Sequence, residues 1–335
     1  MRLHLPQKII VLLVISALCS FLAGCSQSAE PLSRTGFYFD TVIQITIYDS
    51  SKASALDGCF ELAEAYENML SATRENSDIW RINHSKGTPV DVSADTAKLL
   101  ETALYYARLT DGRIDPTILP VASLWNFGSD KSPSIPDSAA LEDVLSHVDY
   151  HAIQIEKNSA SYIVTLDDPQ AMIDLGFIAK GYIADRIKSY LLSEDIASAC
   201  INLGGNVVTI GNKPDGSAFR IGIQEPFAAE GTPIVAVELP DASLVSSGVY
   251  ERYFYQDGVL YHHILDPTTG YPVENNLAGV TILSPSSVEG DALSTTCYCL
   301  GLDAGMKLVE SLEGVEAVFI TKDNSLHYSS GFPHS

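Results

Sequence analysis

Tyr253-Phe254-Tyr255-Gln256-Asp257-Gly258-Val259-Leu260-Tyr261 is the stretch on which the fold class turns. Two runs of aromatic and branched residues, which favour extended backbone, flank Asp257-Gly258. That pair tolerates the positive φ angles of a two-residue hairpin turn, so the stretch predicts antiparallel pairing. Toward the N-terminus, Cys200–Leu203, Val207–Ile210, Phe219–Ile223 and Ile234–Leu239 are further strand candidates, as are Ala152–Glu156 and Tyr162–Leu166. Thr41–Tyr48 alternates apolar and polar residues with the period of a strand. Helical spacing recurs between these runs: Leu56, Phe60, Ala63, Met69 and Leu70 mark one face, Ala94–Thr110 a second helix ending at Asp111-Gly112, and Ile178–Leu192 a third. The end reads as helix Asp291–Leu300, helix Asp303–Leu312 and strand Ala317–Thr321, while the Gly, Ser and Pro content of Trp125–Asp137 predicts a surface loop. Strands interrupted by helices, with a hairpin among them, predict an α+β fold. The expected architecture is a mixed or antiparallel sheet with flanking helices in one large domain over residues 35–335.

The first residues predict export. Arg2 and Lys8 precede an apolar run from Ile9 to Leu22, shorter than the roughly 20 residues a membrane span requires. The run ends at Leu22-Ala23-Gly24-Cys25 and is followed by polar residues. Small residues directly before a cysteine form the pattern of a bacterial lipoprotein signal. Residues 1–24 are then a leader, lipid sits on the Cys25 thiol, and residues 25–34 form a tether. The expected location is the extracytoplasmic face of the cell membrane, held by acyl chains rather than by a transmembrane helix.

The formal charge of −22 over 335 residues repels phosphate backbones and argues against nucleic acid as a partner. An anionic cofactor would need a metal or a local cluster of donors to offset that field. No strand-GxGxxG-helix unit and no GxxxxGK[ST] loop occurs, which argues against a Rossmann or P-loop nucleotide site. Cys59, Cys200, Cys297 and Cys299 remain after the leader and Cys25 are set aside. Cys297-Tyr298-Cys299 has neither zinc-ligand nor thioredoxin spacing, so buried thiols are expected, with one disulfide compatible with export.

Four segments could carry chemistry. Asp174-Leu175-Gly176-Phe177-Ile178-Ala179-Lys180-Gly181 puts an acid at a strand end, then a glycine turn, then a helix start whose N–H groups and Lys180 suit an anion. Asn202-Leu203-Gly204-Gly205-Asn206 offers paired glycines that permit close approach. His262 and His263 precede Ile264-Leu265-Asp266-Pro267-Thr268-Thr269-Gly270; on a strand only one of the two can face a given site, and a histidine there can act as a base. Gly290-Asp291-Ala292-Leu293-Ser294-Thr295, if helical, sets Asp291 and Thr295 one turn apart with Ser294 beside them, oxygen donors suited to Mg2+. Taken singly, each is explained equally well by turns, caps and ordinary packing.

Taken together and in order, these segments resemble the ApbE family, whose members are FAD:protein FMN transferases. Phe39-Asp40-Thr41, Ser77-Asp78-Ile79-Trp80-Arg81-Ile82-Asn83 and Gly112-Arg113-Ile114-Asp115-Pro116-Thr117 extend the resemblance, which runs from Phe37 to about Thr321. The resemblance implies Mg2+-dependent transfer of FMN from FAD to a Thr or Ser hydroxyl of an acceptor flavoprotein, with release of AMP. Carried over by position, Mg2+ would be held by Asp291, Thr295 and the carbonyl of Phe177, with Ser294 as a further ligand. Phe39, Arg113, Ile114, Asp115, Asp174, Lys180 and Leu265 would contact FAD, and His263 would be the base. The acceptors implied are flavoproteins of membrane redox complexes or of extracellular electron transfer.

Two positions depart from the family pattern. Phe177 stands where a small residue is usual, and Phe39-Asp40 replaces a common Met-Gly, so that edge of the flavin pocket differs. Two other functions use the same residues: an FAD pyrophosphatase, in which water replaces the acceptor hydroxyl, and a lipoprotein that binds flavin without turnover.

Overall fold

The computed structural model describes residues 30–128, 132–158 and 161–333; the leader, Cys25 and the start of the tether lie outside them. Its centre is an eight-stranded sheet in which every neighbouring pair is antiparallel. The strands lie side by side in chain order: Leu32–Tyr38, Thr41–Ile47, Ala199–Leu203, Asn206–Ile210, Ser243–Gly248, Leu277–Ser284, Glu316–Thr321 and Leu326–Tyr328. The α+β expectation therefore holds, with the antiparallel alternative realised. The first strand includes Ser33 and Arg34, which polarity alone assigns to the tether and which pair with Thr46 and Ile45.

Two tight turns define one end of this sheet. Phe39 and Asp40, with φ of 53° and 55°, close the pair Tyr38–Thr41, and Gly204 and Gly205, at 57° and 95°, close Leu203–Asn206. A Cβ on Gly204 would lie 2.1 Å from Thr41 Oγ1, so the two turns nest and only glycine fits. The Asp257-Gly258 hairpin forms as the sequence predicts, pairing Tyr253–Gln256 with Val259–His262. Phe254 and Tyr261 stack at 5.3 Å and pack with Trp125 in a small apolar cluster that also holds Leu265.

Two helices carry the site. Ala179–Ser193 packs against Ser287–Leu300, which in turn lies on the strands Ser243–Gly248 and Leu277–Ser284. The second helix starts a full turn before Asp291, earlier than predicted: Ser286 is its N-cap residue, and the capping side chain comes from elsewhere. Asp185 of the first helix accepts from Ser287 N at 2.9 Å, Val288 N at 3.0 Å and Ser286 Oγ at 2.8 Å. A carboxylate at a helix N-terminus satisfies orphan donors and opposes the dipole. Here it also locks the axial register of the two helices.

Three short helices were not expected: Asp78–Asn83, Leu119–Trp125 and Ser138–Leu145. The latter two border the predicted loop. Pro120 sits in the first turn, where a missing N–H costs nothing, and Asp137 caps the last helix by accepting from Ala139 and Ala140. The final helix, Leu302–Val309, is shorter than predicted. Cys59, Cys297 and Cys299 are buried and Cys200 half-buried, and all four are free thiols. Burial lifts Cys59, Cys297 and Cys299 to about 12 and Cys200 to about 11, so none is a reactive thiolate.

Candidate active site

The Asp174 segment is held from two sides. The strand expected before Asp174 is reduced to an isolated bridge at Met172, and Asn83, from the Ser77–Asn83 segment, clamps the extended chain there by accepting from Ile173 N at 2.6 Å and donating to Ile173 O at 2.9 Å. Asp174 N donates to Pro116 O at 2.8 Å, tying the Arg113–Thr117 turn to the same place. Asp174 Oδ1 accepts from Gly176 N at 3.1 Å. Burial raises the Asp174 carboxyl above the usual range, against the pull of Gly176 N–H, Arg252 and Lys180.

At the next helix start three N–H groups are already committed within the fold. Ile178 N and Ala179 N both donate to Leu175 O, at 3.0 and 2.9 Å. Gly181 N donates across the helix pair to Asp291 Oδ2 at 2.8 Å. Gly181 is the third residue of its helix, where an N–H has no carbonyl partner within the helix, and Asp291 supplies the acceptor. The Phe177 carbonyl lies before the helix, so it is available to a ligand whatever side chain Phe177 carries. Gly181 is required for this contact: a Cβ there would lie 2.2 Å from Ser287 O and 2.7 Å from Asp291 Cβ.

Asp291 sits inside its helix, 3% exposed, and does not cap it. Its Oδ1 lies 3.5 Å from Lys180 Nζ, which also donates to Gly176 O at 3.3 Å. One turn on, Thr295 Oγ1 lies 3.0 Å from Ser247 Oγ, and the buried Ser294 Oγ 2.7 Å from it. Thus the structure links Lys180 to Asp291, and Ser294 and Thr295 through Ser247, while Asp174 lies in the field of Lys180. Among the described residues no three His, Cys, Asp or Glu side chains gather as a metal site. The donors are one carboxylate and hydroxyls, with the Phe177 carbonyl as the backbone candidate, all oxygen. That set fits a hard cation which completes its shell with water and substrate phosphates.

The strand alternation separates the two histidines as expected. His262 is buried, with Nε2 3.5 Å from Tyr298 Oη, and burial lowers it to about 4. His263 faces the other way. Its backbone N–H donates to Arg252 O at 3.1 Å, and Nδ1 approaches the same carbonyl at 3.3 Å. The proton therefore belongs on Nδ1, and Nε2 is left as the acceptor. Burial first, then Arg252, His262 and Lys180, lowers His263 to about 3, so the ring is neutral.

Three residues of the site escaped sequence reasoning: Ser247, Glu251 and Arg252. All lie on the strand Ser243–Gly248 or the turn after it. Glu251 is walled in by protein on its flanks yet open to solvent. Burial lifts it to about 7, opposed by Lys180 and reinforced by Asp291. Arg252 and Lys180 are the cations that act on Asp174, Glu251 and His263 together. No local motif announces this turn; only its place beside the helix Ser287–Leu300 does.

The remaining candidates make their contacts elsewhere. Phe39 N donates to Glu67 Oε1 at 2.7 Å. Ile114 is buried, and Leu265 points into the Trp125 cluster. Asp115 is committed to the fold: Oδ1 accepts from Thr117 N at 2.8 Å and Thr117 Oγ1 at 2.6 Å, and Oδ2 from Tyr150 N at 2.9 Å. Arg113 is exposed and acts electrostatically on Cys299.

The family model described as "ApbE family" matches residues 39–319. An FAD:protein FMN transferase of Treponema pallidum is 34% identical, with 89% of this chain and 87% of the relative covered. One of Klebsiella pneumoniae is 36% identical, with 86% and 88% covered. Among solved structures, the ApbE protein of Thermotoga maritima aligns with a TM-score of 0.82 at 29% identity, covering 90% of this chain and 97% of that one. The flavin transferase ApbE of Vibrio cholerae aligns at 0.79 and 29%, covering 91% and 98%.

Proposed function

The chain belongs to the ApbE family, and from that premise we propose that it is an FAD:protein FMN transferase that requires Mg2+, modifies a Thr or Ser hydroxyl and releases AMP. The observation that carries the reading is the buried Asp291 carboxylate, held by Gly181 N–H and paired with Lys180, with the Thr295 hydroxyl one helical turn on.

In this reading Asp291, Thr295 and the Phe177 carbonyl hold the metal. When bound, Mg2+ neutralises diphosphate charge and stabilises charge developing on the phosphoryl oxygens. Lys180 and Arg252 add fixed positive charge on a chain that is otherwise strongly acidic. His263 Nε2 accepts the proton of the acceptor hydroxyl. The hydroxyl oxygen bonds to the FMN-side phosphorus, the bond from that phosphorus to the bridging oxygen breaks, and AMP leaves with that oxygen. The proton passes from His263 to AMP or solvent.

The test is incubation of the purified full-length chain with FAD and Mg2+, with and without an exported flavoprotein, followed by mass spectrometry and nucleotide analysis. The expected result is an FMN-sized mass gain on the acceptor, lost with EDTA or with Asp291→Ala. FMN and AMP in solution with every acceptor unmodified would replace the transferase by a pyrophosphatase. Intact bound FAD would leave only a binder. We further propose lipid attachment at Cys25, which places the enzyme at the extracytoplasmic membrane face beside exported flavoproteins. Labelled palmitate should enter the wild-type chain and not a Cys25→Ser chain.

A further inference from the structure

The hydroxyls beneath Asp291 form a chain whose direction can be worked out. Ser294 Oγ lies 3.0 Å from the Asp291 carbonyl oxygen, which can only accept, so the single Ser294 proton is given there. The 2.7 Å contact between Ser294 and Ser247 must then use the Ser247 proton. The 3.0 Å contact between Ser247 and Thr295 must in turn use the Thr295 proton. The order runs Thr295 to Ser247 to Ser294 to the Asp291 carbonyl.

The register that allows it is built into the fold. Val245 and Ser247 lie on one face of their strand, two residues or about 6.6 Å apart. Gly290 and Ser294 lie one helical turn or about 6 Å apart. The steps match. Gly290 sits against Val245, where a Cβ would lie 3.0 Å from Val245 Cγ2, and Ser294 sits on Ser247.

Resting on the metal site of the proposed function, in which Thr295 is a ligand, we infer that Ser247 is a positioning residue that holds Thr295 Oγ1 for the cation, and that Ser294 fixes Ser247 in turn. With its proton given to Ser247, Thr295 Oγ1 keeps its lone pairs for the metal. Ser294 Oγ is fully buried, and one of its lone pairs is taken by the Ser247 proton, so Ser294 acts through Ser247 and not as a ligand.

The test measures Mg2+ affinity apart from turnover, by calorimetry and by Mg2+-dependent thermal shift on the full-length chain in detergent. Ser247→Ala should weaken Mg2+ binding about tenfold or more, as loss of an outer hydrogen bond to a metal ligand does. The metal-free melting temperature should stay close to wild type. Mg2+ affinity within about twofold of wild type overturns the role of Ser247. A second arm uses ligand softness: Thr295→Cys should shift preference from Mg2+ to Cd2+, and Ser294→Cys should not. A Cd2+ preference in the Ser294→Cys chain would make Ser294 a ligand and overturn the assignment. Loss of transferase activity in the wild type itself would instead count against the proposed function.

Discussion

Gly181→Ala should damage stability and metal binding together, because one atom pair serves both. The added Cβ would meet Ser287 O at 2.2 Å and Asp291 Cβ at 2.7 Å, each about 1 Å inside ordinary contact. Neither neighbour can swing away: Ser287 O is backbone in a helix whose end is fixed by Asp185 at 2.9 and 3.0 Å, and Asp291 is buried. The helices must separate, which costs about 1–3 kcal/mol for overpacking. The 2.8 Å bond from Gly181 N to the Asp291 carboxylate is lost or lengthened, about 1.5–3 kcal/mol more for a bond to a charged group. Alanine returns about 1 kcal/mol of helix propensity. The net is about 2–5 kcal/mol of the roughly 5–15 that holds a domain folded. In a chain of this size that lowers the melting temperature by about 3–8 °C. Differential scanning calorimetry with and without Mg2+ and FAD checks both halves. A Gly181→Ala chain that melts within about 2 °C of wild type and keeps its Mg2+-dependent stabilisation would refute the reasoning.

Three further outcomes follow from the same geometry. Asp291→Asn should fold but lose most Mg2+ affinity, measured by calorimetry, and cut transfer about 100-fold or more, since the one carboxylate of the donor set is gone. His263→Ala should slow transfer about 100- to 10,000-fold with little change in FAD affinity; because burial holds the ring near 3, the acid limb of the wild-type pH profile above pH 5 should not be assignable to His263 by NMR titration. Glu251 is raised to about 7 in the fold, so its stability contribution is present at acid pH and fades as pH rises through 7. Glu251→Gln should therefore flatten stability between about pH 4.5 and 7 and stabilise the chain above pH 7, read by denaturation at each pH.

What could be read from the sequence was what local chemistry dictates. Asp257-Gly258 and Gly204-Gly205 sit where positive φ is needed, and the hairpins formed there. The alternation of His262 and His263 placed one ring in the core and one toward the site. Other features depend on partners far along the chain. The helix around Asp291 starts at Ser287, where the Ser286-x-x-Glu289 spacing is a start signal missed by the expected start at Asp291, but the capping carboxylate is Asp185, about a hundred residues away, which no local motif reveals. The strand Leu277–Ser284 shows no period of two because both its faces are buried, and it was not distinguished from other apolar stretches. Ser247 reads as one more small polar residue in Val245-Ser246-Ser247-Gly248 until Ser294 and Thr295 are laid over it. Phe177 departs from the small residue usual there, yet the group of interest at that position is its backbone carbonyl, which the side chain does not alter.

A chain of net charge −22 must still attract a substrate with two phosphates, and the site shows how the conflict is reduced. Four carboxyls border it: Asp115, Asp174, Glu251 and Asp291. Asp115 is turned into the fold and saturated by Thr117 and Tyr150, and burial raises it above the usual range. Burial likewise pushes Asp174 and Glu251 toward their neutral forms. Only Asp291 is coupled directly to a cation, Lys180, and to a helix N–H. Desolvation thus selectively quiets acids where an anion must approach, and Lys180 and Arg252 add charge of the needed sign. A bound diphosphate would raise those pKa values further, because like charge disfavours the ionised form. Acidic surface and anionic substrate are reconciled within the pocket, by burial and by two cations, and not by the charge of the chain as a whole.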